Sequence, residues 1–171
     1  MLQLLKRLES EPVGISHLRR AAPDYVGIQL YDKLPIGGSI DKVFGRKRAV
    51  ILFYSMHDKR GKELPKMGHY SCIVRRGKRV EYFSPYGYRP EFEIHATHSS
   101  GKLLALLGKN YVRSSAALQN RQQANTCARW ALCRAIMCDT RLEVFVKLFS
   151  AKMHLSSPDD IVTLATLLSI L

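Results

Sequence analysis

The chain has no apolar run of the roughly 20 residues that a helical membrane span needs, so no bilayer-spanning role is expected. It also has no internal repeat and no low-complexity stretch, and its 46% apolar and 24% charged residues give the composition of an ordinary globular domain. Met1 to Leu8 carries Lys6 and Arg7 but no long apolar core and no small-residue cleavage site. It reads as a short amphipathic helix, not a signal peptide. Cysteines number four, and three of them, Cys127, Cys133 and Cys138, crowd together. A disulfide-stapled secreted domain spreads its cysteines, and a zinc site wants close pairs of ligands with a second pair or histidines nearby. Neither pattern is present. The four are expected to be reduced thiols in an intracellular, reducing setting, most of them in the core. Acidic residues are scarce, 14 against 27 Lys plus Arg, which leaves a formal charge of +13. Such a field draws polyanions. The basic residues are scattered, with no aromatic interleaving. They favour non-specific contact along a nucleic-acid backbone over sequence readout.

What is present suits a single domain spanning 1–171. The first forty residues read as helix and turn material, broken by Pro12, Pro23, Pro35 and Gly37-Gly38, with Ser16 capping a short helix to Ala22 and another short segment from Asp41 to Gly45. The apolar run Ala49 to Tyr54 predicts a buried strand, followed by a basic polar loop from His57 to Lys66. Strands over His69–Arg75 and Arg79–Phe83, joined at Gly77, read as a hairpin. A short helix over Gly101–Leu107 and a strand over Tyr111–Ser114 follow. From Thr126 the pattern is helical. Leu142, Phe145, Val146 and Phe149 recur with helical period, Ser157-Pro158-Asp159-Asp160 starts a last helix, and Ile161, Leu164, Ala165 and Leu168 form its apolar stripe. The fold class is therefore α+β, a small central mixed sheet flanked by helices.

Three residue types carry the candidate chemistry. Cys127 follows a polar loop and opens a helix that Thr126 is placed to cap. The positive end of a helix dipole favours a thiolate there. The commoner fate of a cysteine is a small apolar core residue, which is the reading for Cys133 and Cys138. A cysteine nucleophile needs a base. His69, at a strand start behind Gly68, is the best placed of the six histidines, although a lone histidine there is ordinarily a surface residue. An oxyanion formed in acyl transfer needs donors, and Gln119, Gln122 and Gln123 all precede Cys127.

Taken together, Gly68-His69-Tyr70, the strand ending Tyr82-Phe83-Ser84-Pro85-Tyr86-Gly87, Leu118-Gln119, and Asn125-Thr126-Cys127 resemble the adenovirus-type maturation proteases, especially the versions from virophages, large DNA viruses and transposons. The wider clan includes the SUMO-specific proteases, and the order His, acid, Gln, Cys is the clan's. The resemblance covers roughly residues 15–170. It implies a papain-like fold, His69 as general base, Cys127 as nucleophile, Gln119 as oxyanion donor with Gln122 as the alternative, and Tyr86 and Gly87 shaping the turn beside them. The chain departs from the pattern twice. Ser84 stands where the family has Asp, Glu or Asn, and it can hydrogen-bond the imidazole but adds no charge. Ala128 stands where the family usually has Gly after the nucleophile.

The implied function is a cysteine endopeptidase that processes viral capsid and precursor proteins during virion maturation, located in the virion and the infected cell and acting as a monomer. No metal or organic cofactor is implied; stimulation by DNA is compatible with the charge. Two other readings stay open. One is a weakened or inactive homologue serving as a structural or nucleic-acid-binding virion protein. The other is a protease of ubiquitin-like proteins, for which Tyr70 stands where SUMO proteases often carry Trp.

Overall fold

The computed structural model describes residues 2–58, 60, 62–91, 95, 100–119, 125–150 and 157–168. Within these, five strands form one mixed sheet in sequential order: β1 (Val26–Leu30), β2 (Ala49–His57), β3 (Glu63–Arg76), β4 (Arg79–Phe83) and β5 (Tyr111–Arg113). The outer pairs, β1 with β2 and β4 with β5, are parallel; the inner pairs are antiparallel. Helices α1 (Leu2–Ser10), α2 (Ile15–Ala21) and α3 (Asp41–Phe44) come from the first third of the chain. Helices α4 (Lys102–Leu107), α5 (Cys127–Ile136), α6 (Leu142–Ser150) and α7 (Pro158–Leu168) follow β4. The architecture is α+β, a mixed five-stranded sheet with flanking helices.

Residues 49–52 of β2 are buried in an unbroken row because both faces of the strand are covered. Alternation then sorts its side chains into two cores. Ala49 and Ile51 join Cys72, Val74, Phe83 and the residues of α5 on one face. Val50, Leu52 and Tyr54 join Ile73, Tyr82 and the leucines of α4 on the other. Helix α5 is the centre of the first core. Every residue from Ala128 to Ala135 is buried, so the helix is enclosed on all sides and not only along one stripe. Arg134 is tolerated there because it pairs with Glu81 of β4, donates 2.7 Å to the Met137 carbonyl, and lies 5.3 Å from the Phe145 ring centre.

Several sequence expectations need correction. Strand β1 lies where the sequence predicts helix and turn material; its Gly27 and Gln29 weaken the strand signal, and parallel pairing with the apolar β2 forms it. The loop expected over His57–Lys66 is much shorter, since β2 runs on to His57 and β3 begins at Glu63, with a register shift between Ser55 and His57. Ser16 does not cap α2: the capping position is Gly14, and Ser16 sits in the first turn. The buried face of α7 is not the predicted stripe. Asp159, Val162, Thr163 and Thr166 are buried while Leu164 is 50% exposed. Polar partners on α5 select that face: Trp130 donates to Asp159 and Arg129 to Thr166. The start of α7 is as expected, with Ser157 and Asp160 exchanging hydrogen bonds as a capping box.

Candidate active site

His69 lies on β3, directly opposite Tyr54 of β2. The pairing puts the two side chains on one face, with ring centres 6.3 Å apart. Gly68, just before it, is required by close approach: a Cβ there would lie 2.1 Å from the Phe53 ring and 2.5 Å from the Tyr54 carbonyl oxygen. The imidazole is 8% exposed, and Tyr86 stacks on it with centres 5.2 Å apart at 26°. Tyr88 stands 6.4 Å from His69 and 5.3 Å from Tyr86. Three phenol rings therefore surround the histidine and shield it from water.

Ser84 follows the end of β4, next to β3 in the hairpin. Its Oγ is 3.4 Å from His69 Nε2, and it is fully buried. The chain then turns sharply through Ser84-Pro85-Tyr86-Gly87, closed by the Gly87 N–H on the Ser84 carbonyl at 2.9 Å. Gly87 has φ of 68°, and a Cβ on it would lie 2.4 Å from the Ser115 carbonyl oxygen, so the turn admits only glycine there. The turn also receives Gln119. The Leu118 and Gln119 N–H groups both donate to the Pro85 carbonyl, at 2.9 and 3.1 Å, and Gln119 is buried. The structure thus brings His69, Ser84 and Gln119 together around one turn. Gln122 and Gln123 lie outside the described residues. Glu81, the nearest carboxylate in sequence, is committed to Arg134 and to the Leu142 N–H.

Cys127 is the first residue of α5 and the one cysteine of the four that is not buried. It packs beside the core that holds Tyr70, the neighbour of His69 on β3. Burial pushes the Tyr70 phenol up to about 12, with the nearby Cys127 adding to the shift. Burial likewise holds the Cys72 thiol at about 12 and the Cys133 thiol at about 11, which keeps both protonated and unreactive at neutral pH. Cys138 is buried just beyond the end of α5. Thr126 does not cap α5 with its side chain. Its hydroxyl donates to Asp159 Oδ1 at 2.5 Å instead, and the Trp130 indole N–H shares that acceptor at 2.8 Å. Ala128 is 1% exposed and its methyl group belongs to the core, so the extra Cβ has a place.

The sequence alone gives Tyr54, Tyr88, Asn125 and Asp159 no role at the site. The Tyr86-Gly87-Tyr88 repeat was a signal for the ring cluster; Tyr54 becomes visible only once the β2–β3 register is known. Among the described residues, no group of three or more His, Cys, Asp or Glu is arranged to hold a metal ion, and no helix is long and apolar enough to cross a membrane.

No protein-family model matches the chain, and no curated protein matches it. Solved structures with similar chain paths include the central domain of the uncharacterized Lpg1148 protein from Legionella pneumophila, with a TM-score of 0.47 and 9% identity over 94% of this chain and 97% of that one. Another is ChlaDub1 from Chlamydia trachomatis, with a TM-score of 0.43 and 13% identity over 99% of this chain and 78% of that one.

Proposed function

We propose that the protein is a cysteine endopeptidase with Cys127 as nucleophile and His69 as general base. The observation that carries this reading is the buried contact between Ser84 Oγ and His69 Nε2, on the strand whose next residue, Tyr70, lies near the one cysteine that is not buried. When Nε2 carries a proton, the serine oxygen accepts it and fixes the ring. Proton exchange with the thiol then falls to Nδ1. The Cys127 thiolate adds to the scissile carbonyl, and the oxyanion takes donors from the Cys127 N–H and the Gln119 side chain. His69 delivers its proton to the leaving amine as the C–N bond breaks. Water, deprotonated by His69, then cleaves the thioester and regenerates the thiol.

The resemblance to adenovirus-type proteases extends the proposal to capsid and precursor proteins as substrates, in a virion and infected-cell setting, with the +13 chain held along nucleic acid. Ser84 supports a second reading. A hydroxyl adds no negative charge behind the imidazole, so a homologue of low or no activity, retained as a structural or nucleic-acid-binding component, follows from the same residue. A protease of ubiquitin-like proteins is the third, with Tyr70 beside the nucleophile in place of a tryptophan.

Iodoacetamide alkylation across pH tests the choice, on the wild type, Cys127→Ala and His69→Ala, with and without duplex DNA. One thiol reacting rapidly well below the ordinary thiol range of about 8.5, and lost in both variants, is the expected result. A Cys127 that reacts as an ordinary thiol overturns the protease reading and leaves the second.

A further inference from the structure

A helix leaves its last four carbonyls without intrahelical donors. In α1 the Arg7 carbonyl takes the Ser10 hydroxyl at 2.6 Å. The other three take donors from the two sides of Cys127, the Leu8 carbonyl also accepting the Glu11 N–H at 3.3 Å. Arg129 Nη2 donates to the Leu8 carbonyl at 2.9 Å, the Asn125 N–H to the Glu9 carbonyl at 3.1 Å, and Asn125 Nδ2 to the Ser10 carbonyl at 3.1 Å. Asn125 stands two residues before Cys127 and Arg129 two after. The guanidinium is buried and meets the negative end of the α1 dipole, an arrangement that offsets part of its desolvation. Arg129 Nη1 also lies 3.4 Å from Thr166 Oγ1 of α7. Helix α1 is fixed to α7 in turn: Lys6 Nζ lies 3.1 Å from Glu9 and 3.3 Å from Asp160.

We infer that α1 is a positioning clamp for the start of α5, with Asn125 and Arg129 as positioning residues that hold the Cys127 backbone in register from both sides. The inference rests on the proposed role of Cys127. Thr126 lends its hydroxyl to Asp159 and supplies no side-chain cap, so this turn is anchored from outside the helix. Catalysis by a thiolate depends on sub-ångström placement, and a shift of about 1 Å can cost on the order of 100-fold. A clamp contributed by the first ten residues therefore ties reactivity to the docking of a separate helix.

The test uses the full chain. Asn125 is exposed, so Asn125→Ala removes its side-chain bond to Ser10 with little burden on folding and leaves its backbone bond to Glu9, and Arg129→Met removes the guanidinium bond to Leu8 while keeping the apolar stem. Amide hydrogen exchange is followed at Trp130 and Ala131 of α5, with Ile51 and Leu52 of β2 as internal reference, and the alkylation rate of Cys127 is followed against pH. The expected result is exchange about five- to tenfold faster at the α5 amides, the scale of one lost hydrogen bond, with β2 unchanged. The alkylation profile moves to higher pH in the same variants. Unchanged α5 exchange in both variants overturns the clamp. Faster exchange with an unmoved alkylation profile reduces the contact to a structural one and overturns the positioning role. If wild-type Cys127 reacts as an ordinary thiol, the protease reading fails separately, and exchange alone then decides whether the clamp exists.

Discussion

Ser84 Oγ lies 3.4 Å from His69 Nε2 in a buried setting and sets a neutral hydroxyl against the imidazole. A carboxylate there would stabilise the imidazolium and, with it, the thiolate–imidazolium pair. Ser84→Asp is expected to raise Cys127 alkylation at pH 6 by about tenfold, since a nearby opposite charge shifts a titration by about one unit or more. Ser84→Ala is expected to lower it by several-fold, through loss of one hydrogen bond. Stopped alkylation assays with peptide mapping of the labelled cysteine read both. An unchanged rate in Ser84→Asp would mean that the imidazole does not govern the thiol.

The turn that carries Ser84 also carries Gln119, and Gly87 closes it. Gly87→Ala meets two penalties, a φ of 68° and a Cβ 2.4 Å from a backbone oxygen that cannot swing aside. Thermal or urea unfolding is expected to show a loss of about 2 kcal/mol or more. Under the proposed function, hydrolysis of a peptide substrate is expected to fall as well, because displacing residues 115–119 moves Gln119, the proposed oxyanion donor. Gly77→Ala is the control. It shares the positive φ of 59°, but no atom lies within 4 Å of its added Cβ, so only the backbone penalty applies.

Asp159 is the shared acceptor for the Thr126 hydroxyl and the Trp130 indole. Asp159→Ala leaves two buried donors without that acceptor, at about 1–3 kcal/mol each. Asp159→Asn keeps an oxygen in place and is expected to lose less than half as much. Trp130 is the chain's single tryptophan, so its emission reports the site directly. A red shift in the alanine variant is expected, and identical spectra and unfolding midpoints in all three proteins would refute the assignment.

Much of this organisation was legible in the sequence, and the limits have physical causes. The Ala49–Tyr54 run announced a buried strand because apolar side chains cover both of its faces. The Gly77 hairpin and the Ser157–Asp160 helix start carry local signals that need no tertiary partner. Strand β1 was not legible, since Val-Gly-Ile-Gln-Leu becomes a strand only against β2. The inner face of α7 was misread because polar residues are buried there. Asp159 and Thr166 answer Trp130 and Arg129 on another helix, and hydropathy alone assigns such residues to solvent. At the site, the chain order His69, Ser84, Gln119, Cys127 carries the resemblance, and the fold gathers the first three around one turn. Asn125 stands in the motif before Cys127, but its role as a hook is not legible there, because the carbonyls it serves lie at the end of a helix more than a hundred positions away.

The carboxyl groups of Glu9 and Asp160 are expected to make stability depend on pH. Burial, reinforced by a hydrogen bond with Asp160, raises Glu9 from 4.5 to about 7. Hydrogen bonds from Glu9, Ser157 and Lys6 outweigh burial and lower Asp160 to about 2. The pair thus holds one proton over the acid-to-neutral range, with Lys6 between the two groups and Arg129 and Glu11 the other charges nearby. The signs follow from linkage. Glu9 is raised in the fold, so its contribution is complete below pH 4.5 and is lost as pH rises through about 7. Asp160 is lowered, so its contribution is complete above pH 3.8 and is lost as pH falls through about 2. Between pH 5 and 8 only the Glu9 effect operates, and stability is expected to decline with rising pH. Glu9→Gln keeps a hydrogen-bond donor and carries no charge to expose. Its unfolding midpoint is expected to vary less than the wild type's over that range and to exceed it at pH 8. A wild type whose midpoint is flat from pH 5 to 8, or a Glu9→Gln variant with the same slope, would show that the carboxyl pair does not share a proton. Under the clamp inference, the loss of the shared proton also loosens the start of α5, so α5 amide exchange in the wild type is expected to accelerate above pH 7 beyond the intrinsic rise seen in β2, and to do so less in Glu9→Gln.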